Sequence, residues 1–306
     1  MSTPVGTFVE AGWPRHAKDP GPVFDEGRAL VGRIEVAADV QPLGRLLFHV
    51  GAEHLGRYAE TLAVLDQLRA HKACVAGSAD ARALWRFSAA AHLCLGDTVA
   101  GERAAAEAAS DSGFPLNSDR AAALALAAAA LVGQRKTPEA TKLFEQALAL
   151  ATYGPTKDDP LSRALAVTAN NLAGELDEKT DRTEPEDRLL LKAAETARKY
   201  WEIAGTWLHV ERAEYRLACT CATLGLGERA VQHAAKALAL CAANGGDAME
   251  RFFAHEGHAR ASLAAKDRDG AAGHRKQAAD LLEKIEDTGN RAYCEGELAK
   301  LDARLA

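Results

Sequence analysis

One spacing constrains this chain more than any other feature: small residues recur 12 and then 7 positions apart. Ala128, Ala140 and Ala147 carry it, and so do Ala218, Ala230 and Ala237. The same ladder returns as Ala89, Gly101, Ala108 and as Ala259, Ala271, Ala278. A step of seven keeps two side chains on one helix face, while a step of twelve takes the chain round a short turn onto the next helix. Antiparallel helices approach closely only where their facing side chains are small, and the next pair then needs a second small site to stack on the first. The spacing therefore predicts stacked helix pairs. Leu124, Leu131, Leu143 and Phe144 fill the layer between the small sites of one pair, and Leu217, Leu224, Leu238 and Leu240 that of another.

Composition supports this. Alanine, the strongest helix former, supplies 67 of 306 residues, and glycine and proline collect between the alanine-rich runs. No segment alternates with period two, so strands are not expected. Leu95-Gly96-Asp97 and Leu224-Gly225-Leu226-Gly227 each end a first helix on a glycine suited to a left-handed cap, and Thr137-Pro138-Glu139 opens a second helix.

These residues resemble tetratricopeptide (TPR) repeats: Trp85, Ala89, Leu95 and Gly96 in one pair, Ala128, Ala140, Phe144, Ala147 and Leu148 in the next, and Leu217, Ala218, Gly225, Ala230 and Ala237 in a third. Ala169-Asn170-Asn171-Leu172-Ala173 resembles the first helix of kinesin-light-chain-like repeats. Successive first-helix anchors (His49, Ala89, Ala128, Ala173, Ala218, Ala259) lie 39 to 45 residues apart, longer than the ordinary 34. The resemblance implies an all-α, right-handed superhelical solenoid of about six antiparallel helix pairs with a C-terminal capping helix. The repeats fall at approximately 42–72, 79–111, 118–152, 160–203, 206–243 and 247–286, with the cap at 288–305. Residues 23–306 are expected to form one domain, preceded by an extended or flexible arm over 1–22 with Phe8, Trp13 and Val23 as anchors that could fold back into a groove. The first pair is irregular, with His49, Thr61 and Leu68 at its small sites. In the fourth, Ala173 and Ala193 are 20 apart, so eight extra residues around Asp177–Asp187 form either a longer loop or added helix. At the C-terminal end Leu298, Leu301 and Leu305 are expected to face inward, and Glu295, Lys300 and Arg304 outward.

No enzyme motif is present, and no catalytic residues, cofactor or metal are expected. His255-Glu256-Gly257-His258 has the wrong spacing for a zinc-protease helix, and the calcium-loop start at Lys266-Asp267-Arg268-Asp269-Gly270 lacks its glutamate at Ala278. Zinc held by Cys219, Cys221, Cys241 and His233 is the remaining metal alternative, against six reduced thiols used as small core residues. Asp158 and Asp159 before Pro160 read as helix caps. No signal segment and no membrane-length apolar run is visible, so a cytoplasmic protein is expected, and alanine and arginine usage suggests a bacterial one. A net charge of −6 argues against a nucleic-acid-binding surface covering the whole protein, though not against a local basic patch.

In stacked pairs the first helices line the concave face. If each anchor faces its partner helix, the positions three before and one and four after it face the groove. These are Leu46, Val50 and Glu53; Arg86, Ala90 and Leu93; Ala125, Ala129 and Val132; Asn170, Gly174 and Asp177; Tyr215, Cys219 and Ala222; and Glu256, Arg260 and Leu263. The peptide-binding candidates are Leu46, Val50, Arg86, Leu93, Asn170, Asn171, Tyr215, Glu256 and Arg260, with Asn170 singled out by the resemblance as a donor to peptide backbone. The expected function is a non-catalytic interaction scaffold or adaptor that holds a peptide or helical segment of an unnamed protein partner, as a monomer or weak dimer. The alternative is a trans-acting regulator that binds a small molecule or signalling peptide.

Overall fold

Each predicted ladder coincides with a helix pair in the computed structural model, which describes residues 3–110 and 112–305. In the first half the helices are α1 (Pro4–Arg15), α2 (Pro20–Ala29), α3 (Val40–Phe48), α4 (Tyr58–Ala70), α5 (Ala79–Cys94), α6 (Thr98–Ala109), α7 (Leu116–Gly133) and α8 (Thr137–Leu150). They are followed by α9 (Pro160–Glu178), α10 (Glu184–Ala204), α11 (Trp207–Thr223), α12 (Gly227–Asn244), α13 (Ala248–Ala264), α14 (Arg268–Ala279) and α15 (Thr288–Leu305). No strand occurs among the described residues, and no helix is long and apolar enough to cross a membrane. The chain divides into two compact units, Met1–Ala164 and Leu165–Ala306.

All twelve ladder positions are buried. Ala89 of α5 packs with Ala104 and Ala105 of α6 and with Ala123 of α7, so one small patch serves both the pair and its neighbour. Ala218, Ala222, Ala230, Ala234 and Ala261 do the same across α11, α12 and α13. At the start of α12, a Cβ on Gly227 would come within 2.6 Å of the backbone of Ala264 and Ala265.

The turns repeat as faithfully as the anchors. Seven residues after the anchor the backbone is left-handed in four pairs: Gly96 (φ 80°), Arg135 (φ 59°), Gly225 (φ 73°) and Lys266 (φ 65°). Aspartates cap the following helices, Asp97 accepting from the Ala100 amide at 3.0 Å and Asp267 from the Gly270 amide at 2.9 Å. Asp159 likewise accepts from the Leu161 amide at 2.9 Å as α9 begins.

The fourth pair keeps the ladder and lengthens its second helix. First helices end five residues after the anchor in each regular pair, and α9 does too. Second helices start three residues before their small site, but α10 starts nine before Ala193. Six of the eight extra residues thus add helix and two lengthen the turn. A capping box between Thr183 and Glu186 starts the added helix, and the Arg182 guanidinium donates to the Leu176 and Asp177 carbonyls at 3.0 Å each, closing α9.

The N-terminal arm is helical, correcting the extended or flexible reading of residues 1–22. Thr3 accepts from the Gly6 amide at 2.9 Å, and both Pro4 and Pro20 occupy the first turn of a helix, where proline's missing N–H costs nothing. Two glycines of α1 and α2 are close-contact points. A Cβ on Gly12 would lie 2.7 Å from Leu46 Cδ2, and one on Gly27 would lie 2.8 Å from Leu47. Helix α2 ends at Ala29 and gives way to two short 3-10 turns, Val31–Arg33 and Ala37–Asp39.

The first pair departs from the ladder because α3 continues into a π-helix, His49–His54. The wider turn brings Gly51 against Thr61, with Phe24 on the same glycine, so Gly51 is the small site and His49 is not. At the other end of the chain α15 turns Leu298 and Leu301 inward and leaves Glu295, Lys300 and Arg304 exposed.

Left-handed backbone costs a residue with a Cβ about 1–2 kcal/mol, and glycine almost nothing. Nothing lies near a Cβ added at Gly225, and Lys266 is exposed, so only the backbone term acts at either position. Gly225→Ala should lower unfolding free energy by about 1 kcal/mol, and Lys266→Gly should raise it by somewhat less than that. Urea denaturation of both variants checks the pair; effects of the same sign would contradict the shared turn.

Candidate functional site

In the second unit the first helices of successive pairs and the capping helix leave a cleft of about 740 Å³ between them. Asn170, Asp177 and Glu178 come from α9, and Glu211, Arg212, Tyr215, Arg216 and Cys219 from α11. Met249, Glu250, Phe253 and Arg260 come from α13, and Tyr293, Glu297 and Lys300 from α15. None of the lining comes from α10, α12 or α14. The small anchors cause this: Ala218 and Ala259 turn one face of α11 and α13 to their partner helices, and the opposite stripe is left free for larger side chains.

Three rings cross the cleft in a row. Tyr215 and Phe253 meet edge to face with centroids 5.6 Å apart, and Phe253 and Tyr293 lie 6.0 Å apart. Gly257 makes room for Tyr215, since a Cβ there would fall 2.7 Å from its ring. Tyr293 is 58% exposed, unusual for a large aromatic side chain.

Beneath the rings lies a continuous ionic network. Glu256 is fully buried and accepts from the Tyr215 hydroxyl at 2.9 Å and from Arg260 Nε. A second nitrogen of Arg260 donates to Glu297 at 2.7 Å, and Lys300 donates to the other Glu297 oxygen at 2.6 Å. Burial pushes the Glu256 carboxyl above the usual carboxylate range, while the Arg260 guanidinium and the Tyr215 hydroxyl pull it back. Arg212 bonds Glu250 at 2.7 Å, and Arg216 stands 3.8 Å from Asp177. The four cations of the lining thus each face a carboxylate.

Three of the lining side chains keep polar atoms without a hydrogen-bond partner. The Asn170 side chain makes no hydrogen bond among the described residues, and the buried oxygens Asp177 Oδ1 and Glu211 Oε1 have none either. Glu211 is 1% exposed, and burial raises its pKa to about 7.

Of the sequence candidates, Asn170, Tyr215 and Arg260 come together in this cleft, with Glu256 directly below; Asp177 and Cys219, named by the same geometric rule, also line it. Asn171 is exposed and outside the lining. The first-unit candidates are packing residues. Leu46 and Val50 are completely buried, Leu46 against Gly12 of α1. Arg86 bonds the buried Asp119 at 2.8 Å, joining α5 to α7. Leu93 packs on Gly101 of α6. The rule mislocated them because α1, read as an arm, covers α3 together with α2, and because it treated partly buried stripes as open ones. It also stopped too early along the second unit: Arg212, Glu250 and Phe253 lie one to three turns before their anchors on the same stripes. The α15 residues were concealed by reading that helix as a solvating cap.

Cys219, Cys221 and Cys241 are buried free thiols, and His233 bonds Glu214 at 2.6 Å, so the four do not form a metal-binding group among the described residues. No family model matches the chain, and no curated protein matches it. Among solved structures it is similar to the TPR domain of P58(IPK), at 11% sequence identity over 98% of each chain with a TM-score of 0.27. That similarity is too distant to bear on function, and the fold rests on the helix pairing itself.

A carboxyl whose pKa rises on folding binds its proton more tightly in the folded state. Its stabilising effect is therefore greatest below about pH 4.5 and is lost as pH climbs through about 7. Glu211→Gln should leave stability nearly unchanged at pH 4.5 and raise it at pH 8, by up to about 3 kcal/mol. Thermal unfolding across that range tests this, and a gain independent of pH would show that Glu211 ionises normally.

Proposed function

We propose that the protein is a non-catalytic interaction scaffold or adaptor, and that the cleft of the second unit takes up a peptide or helical segment of a protein partner. The observation that carries this reading is the origin of the lining, which comes from α9, α11, α13 and α15 alone. A surface shared by consecutive helices suits an extended or helical ligand laid across them. Its chemistry points the same way. The aromatic row offers stacking area, the Asn170 amide offers one donor pair and one acceptor to a peptide bond, and carboxylates and cations are interspersed. Because the cations are already paired with carboxylates, the cleft presents little net positive field to a nucleic-acid backbone.

The volume favours a second reading. A cleft of about 740 Å³ falls within the range of small-molecule sites, and a regulator that binds such a ligand and acts in trans would use the same residues.

Selection of peptides from a random display library against the full chain separates the two. Peptides recovered this way should lose at least about tenfold in affinity with Tyr293→Ala and with Asn170→Ala, a change of about 1.4 kcal/mol each. They should be unaffected by Val99→Ala, which alters an exposed apolar residue of the first unit. Binding that ignores the cleft variants would overturn the peptide reading. A library that yields no binder, alongside a small metabolite whose stabilisation of the chain is lost in Tyr293→Ala, would establish the second.

A further inference from the structure

Outside the cleft, the most unusual local geometry in the chain is the π-helix His49–His54. In an α-helix, residues five apart point about 140° away from each other, so His49 and His54 could not meet. Here the backbone closes one turn wider, with the Leu55 amide on the Val50 carbonyl at 3.0 Å, and the two imidazoles meet edge to face, centroids 4.8 Å apart, with Nε2 atoms 3.1 Å apart. Single π turns inside helices cost stability and recur at functional sites. The turn is also held from outside: Gln134 at the end of α7 donates to the Glu53 carbonyl at 2.8 Å.

A third imidazole completes the group. His16 follows the last residue of α1, and its ring lies 4.8 Å from that of His49 and 5.0 Å from that of His54. One nitrogen from each of the three side chains falls within 4.8 Å of the others.

The hydrogen bonds around the group fix which nitrogens are free. His16 Nδ1 donates to the Trp13 carbonyl, which can only accept, leaving His16 Nε2 with its lone pair. His49 Nδ1 donates to Glu53 Oε2 at 2.7 Å, leaving His49 Nε2 likewise. A carboxylate behind an imidazole is the usual support for a metal-bound histidine, because it sets the tautomer and strengthens the ligand. Trp13 packs on His16 and His49, closing one side, while His54 is exposed and leaves the other open.

We propose that His16, His49 and His54 bind one divalent first-row transition-metal ion of the Zn²⁺ type, each through Nε2, with Glu53 as the supporting carboxylate and solvent completing the coordination. Tetrahedral zinc with bonds of about 2.0–2.1 Å sets nitrogens about 3.3 Å apart. The 3.1 Å pair is already near that separation, and His16 closes the remaining distance by rotating its side chain at the end of α1. His54, which shares a proton with His49 across the 3.1 Å contact, carries it on Nδ1 once Nε2 is ligated, so no proton need leave the site. The ion would fasten the end of α1 to the π turn. Sequence reasoning had no access to this group, since positions 16, 49 and 54 match no metal motif and become neighbours only through the π turn.

The test is titration of the full, untagged chain with Zn²⁺ alone by calorimetry, and with Co²⁺ followed by its visible absorption. The expected result is one ion per chain with low-micromolar or tighter affinity and a tetrahedral Co²⁺ spectrum. His54→Gln, at an exposed position, should abolish both without loss of helicity by circular dichroism, and Glu53→Gln should weaken binding by about 10–100-fold. His274→Ala serves as the control at the second histidine cluster, where the His258 and His274 rings stack at 3.8 Å. No saturable binding, binding that survives His54→Gln, or binding that His274→Ala removes would each overturn the proposal.

Discussion

Everything in this chain depends on the close approach of neighbouring helices at alanine and glycine. A Cβ methyl is the largest group that several of these contacts accept, and at Gly227 even that is excluded by the backbone of the following helix. Each small site removes little apolar surface by itself. Its effect is to bring backbones near enough that Leu131, Phe144 and Leu217 can fill the space beside it at native density. Alanine also adds helix propensity at no cost in side-chain entropy, so the same residue that permits packing also favours the element being packed.

Fixing one face of each first helix has a consequence for the other. Because Ala218 and Ala259 hold α11 and α13 in place, the stripe turned away from the partner helix is not needed for packing and can carry Arg212, Tyr215, Phe253 and Arg260. Even so, this stripe is ordered from below. Glu256 sits fully buried where a hydrophobic residue would serve stability better, and it holds both the Tyr215 hydroxyl and the Arg260 guanidinium. A buried acid with two such partners is a positioning device for the cleft surface. The π turn is the same economy seen in the first unit: a local departure from α geometry aligns His49 with His54, and the rest of the fold absorbs it through Gly51 and Gln134.

The regular pairs were legible in the sequence because one physical requirement, a small residue at a helix crossing, recurs at fixed spacing and leaves a pattern in one dimension. A third of the cleft lining was legible for the same reason, since Asn170, Asp177, Tyr215, Cys219 and Arg260 sit at set offsets from the anchors. What was not legible depends on groups far apart in the chain. Gly12 reads as arm flexibility until Leu46 is seen pressed against it. Arg86 read as a groove residue because its partner, Asp119, is 33 positions away and buried. His49 read as a poor anchor because nothing in the residues His49 to His54 announces a π turn.

The central claim is that the laddered alanines are contact points and that alanine abundance alone does not make the fold. Ala147 and Ala149 lie two residues apart on α8, the first buried and on the ladder, the second exposed. Urea denaturation of Ala147→Leu and Ala149→Leu compares them with helix propensity held nearly equal. The account predicts a loss of about 1–3 kcal/mol for the first from overpacking, and a change within about 0.5 kcal/mol for the second. Equal effects at the two positions would contradict it.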